Sequence, residues 1–297
     1  MFTGSIVALV TPMKKDGSID HESLFKLVEW HIASGTNGLV VTGTTGEAAT
    51  LTTDEKYDLI SRVVKQVAKR IPVIAGTGTA STHHTIELTQ NAKAAGADAA
   101  LIVTPYAIKP SQNGLYEHYK LIAEKVSLPI ILYNVPSRTA CDLLPETVKR
   151  LSKINNIIGI KEATGKIERA TEIAQLCGKN FAIYSGDDAT AFDLLINGAK
   201  GIISVTSNVA PRKMHDFCKA ALTGNKALAE KLNAELMPLH IKLFLETNPV
   251  PTKWALHRMG LIPEGIRLPL LPLDTQYHAE LEAALIETGV LHEKAIT

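Results

Sequence analysis

Eight short apolar runs recur along the chain at intervals of about 20–35 residues, the length of a βα unit, and this repeat limits the fold more than any other feature. They are SIVALVTP (5–12), NGLVVTG (37–43), PVIAGTG (72–78), DAALIVTP (98–105), LPIILYNVP (128–136), IIGIKEA (157–163), FAIYSG (181–186) and KGIISVTS (200–207). The runs are apolar throughout rather than alternating, which is typical of parallel strands covered on both faces.

Segments with helical periodicity separate the apolar runs. The clearest are residues 21–35, 54–70, 82–97, 112–126 and 167–178. Eight βα units without a clear linker predict an α/β fold, a (β/α)8 TIM barrel, over residues 1–223. Helical patterns broken by Pro249, Pro251 and Pro263 predict a C-terminal helical extension over residues 224–297.

Several other classes of protein are disfavoured by composition and motifs. The net charge is +1, from 31 basic and 30 acidic residues without a basic stripe, so we expect no nucleic-acid partner. No apolar run approaches the roughly 20 residues of a membrane span. GTGTAS (76–81) lacks the third glycine of a dinucleotide fingerprint, which disfavours a doubly wound sheet, the alternative fold. The histidines lack metal-ligand spacing, so we expect no metal.

The cysteines indicate the compartment. Cys141, Cys177 and Cys218 are far apart and form no CxxC motif, as is typical of free thiols in a reducing environment. The N-terminus has neither the basic start nor the small-residue cleavage site of a signal peptide. We therefore expect a cytoplasmic protein.

A lysine ends the sixth apolar run, and it is the only cation at the carboxyl end of a predicted strand. Strand alternation places Ile157, Gly159 and Lys161 on one face, and since helices cover the outside, Lys161 should point inward, with Gly159 leaving space beneath it. The same parity turns Ile131 and Tyr133 of the preceding strand inward. Neighbouring strands would then bring Tyr133 within reach of Lys161.

This pair suggests covalent catalysis. An amine that is partly withdrawn from water has a larger neutral fraction, and it can attack a carbonyl to form a Schiff base that makes the adjacent carbon acidic. Tyr133 would carry the proton. The alternative is a lysine that is simply paired with a carboxylate at the barrel mouth, such as Glu162 or Asp187.

Two further motifs suit carboxylate ligands. GTTGE (43–47) follows a strand, and its glycines and threonines favour a turn whose N–H and hydroxyl groups bind an anion. A strand-to-helix turn capped by Thr52 or Thr53 is the alternative for this motif. The guanidinium of Arg138, just past Tyr133, suits a second carboxylate, although a surface arginine is an equally common reading.

Taken together, these motifs resemble the dihydrodipicolinate synthase family of pyruvate-dependent class I aldolases. They are GTTGE (43–47), LYNVPSRT (132–139), GIKEATG (159–165), SGDD (185–188) and GIISVTSN (201–208). The resemblance runs from FTGSIVALVTP near the N-terminus to ETNPVPTKWAL (246–256). It implies condensation of pyruvate with L-aspartate 4-semialdehyde toward diaminopimelate and lysine, by a homotetramer of tight dimers without a cofactor.

The resemblance also implies residue roles. Lys161 forms the Schiff base, Tyr133 transfers protons and Thr44 links Tyr133 into a proton relay. The substrate-binding residues are Thr45 and Ile203 for pyruvate, Gly186 of the SGDD motif, and Arg138 for the carboxyl end of the aldehyde.

The chain departs from the family pattern at two places. The family has two consecutive tyrosines after VTP, the second completing the relay of a neighbouring subunit, but here Tyr106 is followed by Ala107. Since a methyl group cannot carry a proton, we expect slower turnover, or substitution by water or Tyr106. The positions that match the lysine-inhibition site of the family are Ala49, Lys56, Ala80, His84 and Tyr106. A cationic ligand would meet Lys56 there, so we expect weak or absent lysine inhibition.

Two alternatives in function remain open from the sequence. One is another pyruvate-dependent aldolase on the same scaffold, such as N-acetylneuraminate lyase, although Arg138 favours the semialdehyde enzyme. The other is a barrel that binds an oxo-acid without useful catalysis, an idea that Ala107 favours.

Overall fold

The structure is a computed structural model, and it describes residues 2–291. Eight parallel strands form a closed barrel in sequence order. They are β1 (Gly4–Ala8), β2 (Gly38–Val41), β3 (Val73–Gly76), β4 (Ala99–Val103), β5 (Ile130–Asn134), β6 (Ile157–Glu162), β7 (Ala182–Ser185) and β8 (Gly201–Ser204). All eight predicted strands and the (β/α)8 barrel are therefore confirmed.

Helices follow the strands and cover the barrel. They are α1 (His21–Ala33), α2 (Thr53–Val67), α3 (Thr82–Ala94), α4 (Gln112–Lys125), α5 (Pro136–Thr139), α6 (Pro145–Leu151), α7 (Ile167–Cys177), α8 (Ala191–Ile196), α9 (Pro211–Leu222), α10 (Lys226–Lys242), α11 (Val250–Arg258) and α12 (His278–Glu287). Local sequence sets their starts: Thr52 and Glu55 form a capping box at α2, and Asp20 caps α1.

One close backbone contact closes the barrel. Gly4 of β1 and Gly201 of β8 are register partners. A Cβ atom at Gly201 would lie 2.3 Å from the carbonyl oxygen of Gly4, so a larger residue would push the two strands apart. The final strand pair therefore depends on glycine.

The strand side chains divide into an inner and an outer layer. The inner layer includes Ile6, Ala8, Val40, Ile74, Leu101, Ile131, Tyr133, Ala182 and Ile203. The prediction for the start of β6 was wrong, because Ile157 packs in the outer layer and Ile158 against the inner one. The register shifts between Ile130 and Ile131, which reverses the alternation at that point. After the register shift, Gly159 and Lys161 both lie on the inward face of β6, as predicted.

The last three helices form the predicted C-terminal extension. α10 packs against α9 and α12. Pro251 lies within the first turn of α11 rather than breaking a helix, because a proline there lacks only an N–H group that has no partner inside the helix. Pro238 lies inside α10. The domain boundary after residue 223 stays a prediction, and the end of the extension, residues 292–297, lies outside the described residues. Each helix within residues 2–291 is too short or too polar to cross a bilayer.

Candidate active site

Lys161 and Tyr133 face each other at the carboxyl end of the barrel. They are register partners on β6 and β5. The Nζ atom of Lys161 lies 4.3 Å from the centroid of the Tyr133 ring. The two residues are only 6% and 7% exposed. Both the inward direction of Lys161 and its closeness to Tyr133 are as predicted from the sequence.

Gly186, in the loop after β7, leaves space for the Lys161 side chain. A Cβ atom at Gly186 would lie 2.9 Å from Cε and 3.0 Å from Cγ of Lys161, so any side chain there would displace the lysine. The expectation that Gly159 leaves this space was wrong. A Cβ atom at Gly159 would lie 2.4 Å from the carbonyl oxygen of Ala182, so its missing side chain lets β7 approach β6.

Both carboxylates that could have paired with Lys161 are engaged elsewhere. Glu162 points to the outer side, where one carboxylate oxygen accepts from the Thr164 N–H at 2.7 Å and the other from the Asn134 amide at 3.2 Å. Burial raises the pKa of Glu162. Asp187 accepts from the N–H of Thr190 at 3.1 Å. Within residues 2–291 the ammonium of Lys161 has no ion-pair or hydrogen-bond partner, so the interpretation as a paired lysine was wrong.

The GTTGE turn presents two threonines differently. Thr45 is buried, with 2% of its surface exposed, and its Oγ1 accepts a hydrogen bond of 2.9 Å from Nδ2 of Asn248. Thr44 is exposed, and its carbonyl accepts from the N–H of Glu47 at 3.0 Å. The link from Thr44 to Tyr133 stays a prediction. Thr52 does cap α2, but a separate short helical turn, Ala48–Thr50, lies between it and the motif.

A buried ion pair supports this turn from behind. Glu47 pairs with Lys253 of α11, and the side chains are 0% and 5% exposed. Burial lowers the pKa of Lys253, and the carboxylate of Glu47 opposes that shift. Arg267 donates its N–H to Glu47 and both ends of its guanidinium to Glu55. The C-terminal extension thus fixes the base of the turn.

Sequence reasoning missed the residues that the extension contributes. Asn248 and Lys253 lie in ETNPVPTKWAL, a segment that contributes to the family resemblance but contains no predicted site residue. One local signal was available: a lysine that interrupts the apolar side of a short predicted helix usually has a buried partner. The identity of that partner, Glu47, is not visible in the sequence because it lies more than 200 residues away.

The other two predicted substrate-binding residues, Arg138 and Ile203, differ in exposure. Arg138 lies on the short helix α5 immediately after β5 and is exposed, and its Nη1 donates to Oγ1 of Thr247 at 3.3 Å. Ile203 is 1% exposed and packs in the same inner cluster as Tyr133. Their roles in substrate binding stay predictions.

The loop after β4 carries the departure from the family pattern. Ala107 has φ of 70°, a left-handed conformation that costs an alanine about 1–2 kcal/mol. Its N–H donates to the carbonyl of Thr139 at 3.3 Å. The neighbouring side chains of Tyr106 and Ile108 are 41% and 63% exposed. This loop thus presents apolar surface outward and a strained backbone at the expected relay position.

The predicted inhibitor positions lie on three neighbouring elements. Ala49 is in the helical turn before α2, Lys56 is on α2, Ala80 precedes α3 and His84 is on α3. Burial lowers the pKa of Lys56. Nδ1 of His84 lies 3.1 Å from a carboxylate oxygen of Glu87. Their role stays a prediction. Among residues 2–291, no three acidic, histidine or cysteine side chains are grouped as a metal site would require.

Comparison with known proteins extends the resemblance to nearly the whole chain. The profile of the dihydrodipicolinate synthetase family matches residues 1–288. The 4-hydroxy-tetrahydrodipicolinate synthase of Pseudomonas aeruginosa is 59% identical over 291 residues, covering 98% of this chain and 100% of that protein. The synthase of Ectopseudomonas mendocina is 60% identical with the same coverage. The crystal structure of the chloride-inhibited dihydrodipicolinate synthase from Acinetobacter baumannii complexed with pyruvate has a TM-score of 0.97 and 54% identity, covering 98% of this chain and 100% of that one.

Proposed function

The chain belongs to the dihydrodipicolinate synthetase family, and we propose that it joins pyruvate to L-aspartate 4-semialdehyde through a Schiff base on Lys161. The activity is that of a 4-hydroxy-tetrahydrodipicolinate synthase, a lyase of diaminopimelate and lysine biosynthesis, as in relatives of 56–60% identity. The observation that carries the residue assignment is the burial of Lys161 against Tyr133 without a carboxylate partner within residues 2–291.

Lys161 and Tyr133 divide the covalent chemistry. Nζ of Lys161 attacks C2 of pyruvate, and loss of water leaves an iminium that withdraws electrons from C3. Removal of a C3 proton gives an enamine, which forms a carbon–carbon bond to the aldehyde carbon of the second substrate. The amine of that substrate then attacks the iminium carbon and releases Lys161. Tyr133 lies at the lysine and carries protons to and from these intermediates.

The remaining residues hold the two substrates. The Thr45 hydroxyl binds the pyruvate carboxylate, and Ile203 forms the apolar wall beside the methyl group. Gly186 leaves just enough room for the Lys161 side chain, and it lines the second subsite. Arg138, held by Thr247, binds the carboxyl end of the semialdehyde. We assign no cofactor and no metal to the reaction.

Thr44 and position 107 bear on proton transfer. Thr44 is exposed at the mouth and can connect Tyr133 with solvent or a neighbouring group. Ala107 cannot carry a proton, so turnover depends on water or on Tyr106 at this step. Replacing Ala107→Tyr should raise kcat by about 2–10-fold, since a positioned acid or base contributes more than water does. An unchanged kcat would show that position 107 has no part in the relay.

We also propose that the chain works as a cytoplasmic homotetramer made of tight dimers. The exposed Tyr106 and Ile108 suit a contact with a second copy, because apolar side chains this exposed are stabilised when a partner covers them. The cysteines Cys141, Cys177 and Cys218 are free thiols, which fits a reducing compartment. Sedimentation analysis of the purified protein tests the tetramer.

Lysine should inhibit this enzyme weakly or not at all. The half-buried Lys56 would repel a cationic ligand, and position 84 offers a histidine rather than a free carboxylate. Millimolar L-lysine should leave the rate within about a factor of two. Strong inhibition at that concentration would refute this assignment.

Borohydride trapping tests the central assignment. The protein is incubated with pyruvate, reduced with borohydride, digested and analysed by mass spectrometry. A lactyl adduct on Lys161 is expected, and an unmodified Lys161 would overturn the mechanism and leave a barrel that only binds an oxo-acid. A coupled assay with the downstream reductase then measures condensation with aspartate semialdehyde, and release of pyruvate measures cleavage of N-acetylneuraminate. Activity with N-acetylneuraminate alone would overturn the substrate assignment.

A further inference from the structure

Asn248 contacts a residue of the proposed pyruvate pocket from outside the barrel. It lies just before α11, is 6% exposed, and its Nδ2 donates to Oγ1 of Thr45 at 2.9 Å. Thr45 itself is 2% exposed. Because both groups are buried, water does not compete for this hydrogen bond, and the bond holds both side chains in place.

The direction of this hydrogen bond determines what Thr45 can do. A hydroxyl has one proton to donate, and it can accept at the same time. Since Oγ1 of Thr45 accepts from Asn248 and has no other partner within residues 2–291, its proton stays available for a ligand. A carboxylate ligand only accepts, so a hydroxyl fixed as a donor matches it.

We propose that Asn248 is a positioning residue that holds the Thr45 hydroxyl as a donor to the substrate carboxylate. The proposal rests on the proposed function and adds a residue to it: Asn248 selects for a carboxylate by acting through Thr45. The amide must donate for this to work. An acceptor in its place would take the Thr45 proton, and a negative charge there would also repel the ligand.

Three variants separate this role from simple support of the turn. Asn248→Asp keeps the shape of the side chain and reverses its hydrogen bonding. Asn248→Ala removes the contact altogether. Thr11→Val is the matched control, because the buried Thr11 hydroxyl donates to the carbonyl of Gly46 at 2.7 Å and so supports the same turn without contacting Thr45.

The readout is the pyruvate concentration that gives half-maximal borohydride trapping on Lys161. We expect this concentration to rise about 10–100-fold in Asn248→Ala, because the Thr45 hydroxyl is then no longer oriented toward the charged carboxylate of the ligand, and further in Asn248→Asp. The amount trapped at saturating pyruvate should stay within about threefold of the unsubstituted protein, since Lys161 is untouched. Thr11→Val should bind pyruvate normally.

Methyl pyruvate, which has no carboxylate, makes the test specific. The loss in Asn248→Asp should be smaller with this probe than with pyruvate, because an uncharged ester accepts a weaker hydrogen bond from Thr45 and is not repelled by the new carboxylate. Equal losses with pyruvate and methyl pyruvate, normal pyruvate binding in both Asn248 variants, or an equal loss in Thr11→Val would each overturn the proposal. Failure of the proposed function is distinguishable, because the unsubstituted protein would then give no adduct at all.

Discussion

Two lysines of this chain are almost equally buried but have opposite environments. Lys161 is 6% exposed and lies over the Tyr133 ring, without a carboxylate partner within residues 2–291. Lys253 is 5% exposed and pairs with the fully buried side chain of Glu47. Burying an ammonium is costly unless it is paired, so the partner of Lys253 accounts for its position and nothing comparable accounts for Lys161.

The difference teaches how to separate a reactive lysine from a structural one. Burial alone does not, because both residues have it. Gly186 packs directly against the stem of Lys161, whose ammonium has no carboxylate partner within the described residues, whereas Lys253 pairs with Glu47 where α11 meets the GTTGE turn. A buried amine without a charged partner is costly, and departures of this kind from ordinary packing concentrate at functional sites. The comparison therefore predicts opposite effects of substitution.

Substitution of Lys161 should produce the largest loss of activity and no loss of stability. Lys161→Met removes the nucleophile, so we expect kcat to fall at least ~10³-fold and the lactyl adduct to vanish. The free energy of unfolding should stay equal or rise, because an unpaired buried ammonium is replaced by an apolar side chain. Kinetic assay and thermal unfolding on the same preparation give both numbers. A marked drop in the melting temperature would mean that Lys161 has a structural partner after all.

Tyr133→Phe should give the next largest effect and sharpen the role of the ring. Phenylalanine keeps the aromatic face under Lys161 but removes the hydroxyl, so the trapped adduct should still form. The condensation rate should fall about 10²–10⁴-fold, the usual contribution of a positioned acid or base. Comparison of adduct formation with overall turnover separates Schiff-base formation from the later proton transfers. Equal turnover in Tyr133→Phe would remove the phenol from the mechanism.

Lys253→Met should show the reverse of Lys161→Met. Breaking the pair leaves Glu47 charged and buried without its partner, so we expect a loss of about 3–5 kcal/mol in the free energy of unfolding. Folded molecules should still trap pyruvate on Lys161. Adding Glu47→Gln should recover most of the loss, since no unpaired charge then remains. Denaturant unfolding measures all three proteins.

An exposed pair provides the control for this experiment. Lys26 and Glu22 form an ion pair one helical turn apart, with side chains 70% and 79% exposed. Lys26→Met should leave the melting temperature unchanged, because water screens such a pair. If both lysine substitutions had the same effect, burial would not distinguish the two pairs, and the comparison between Lys253 and Lys161 would lose its basis.

The sequence predicted the reactive lysine better than the structural one, and the reason is the range of the interactions. Lys161 and Tyr133 end consecutive strands, so strand alternation and barrel order were enough to bring them together. The same alternation failed at Ile157, because a register shift is an irregularity that periodicity does not record. Gly159 was likewise assigned to the wrong neighbour.

The contribution of the extension could not be predicted because it is non-local. The bonds of Asn248 to Thr45 and of Lys253 to Glu47 span 203 and 206 residues. Which side chains meet over that distance depends on how the extension packs back on the barrel, and no local pattern encodes this. The roles of Thr44, Arg138 and the inhibitor positions stay predictions for a related reason: they depend on ligands and on the proposed contacts between subunits, not on this chain alone.

The smallest effect is expected from Glu55, at the outer end of the Lys253 network, and it depends on pH. Hydrogen bonds from Arg267 lower the pKa of Glu55 from 4.5 to about 2. A carboxyl whose pKa is lower in the folded state stabilises the fold above its unfolded value, and this contribution disappears as the pH falls toward the folded value. Glu55→Gln should therefore lower the melting temperature at pH 7, by an amount that shrinks between about pH 4.5 and pH 2.

Glu29 is the matched control for Glu55. Hydrogen bonds from Arg70 lower its pKa to about 2 as well, but the two side chains are 51% and 42% exposed, against 28% and 21% for Glu55 and Arg267. Glu29→Gln should shift the melting temperature less at pH 7, since solvent screens the exposed pair. Equal shifts in the two variants would mean that the link from Arg267 to Glu47 adds nothing to the Glu55 pair. Of the contacts around Lys253, only the buried pair with Glu47 would then contribute measurably to the free energy of unfolding.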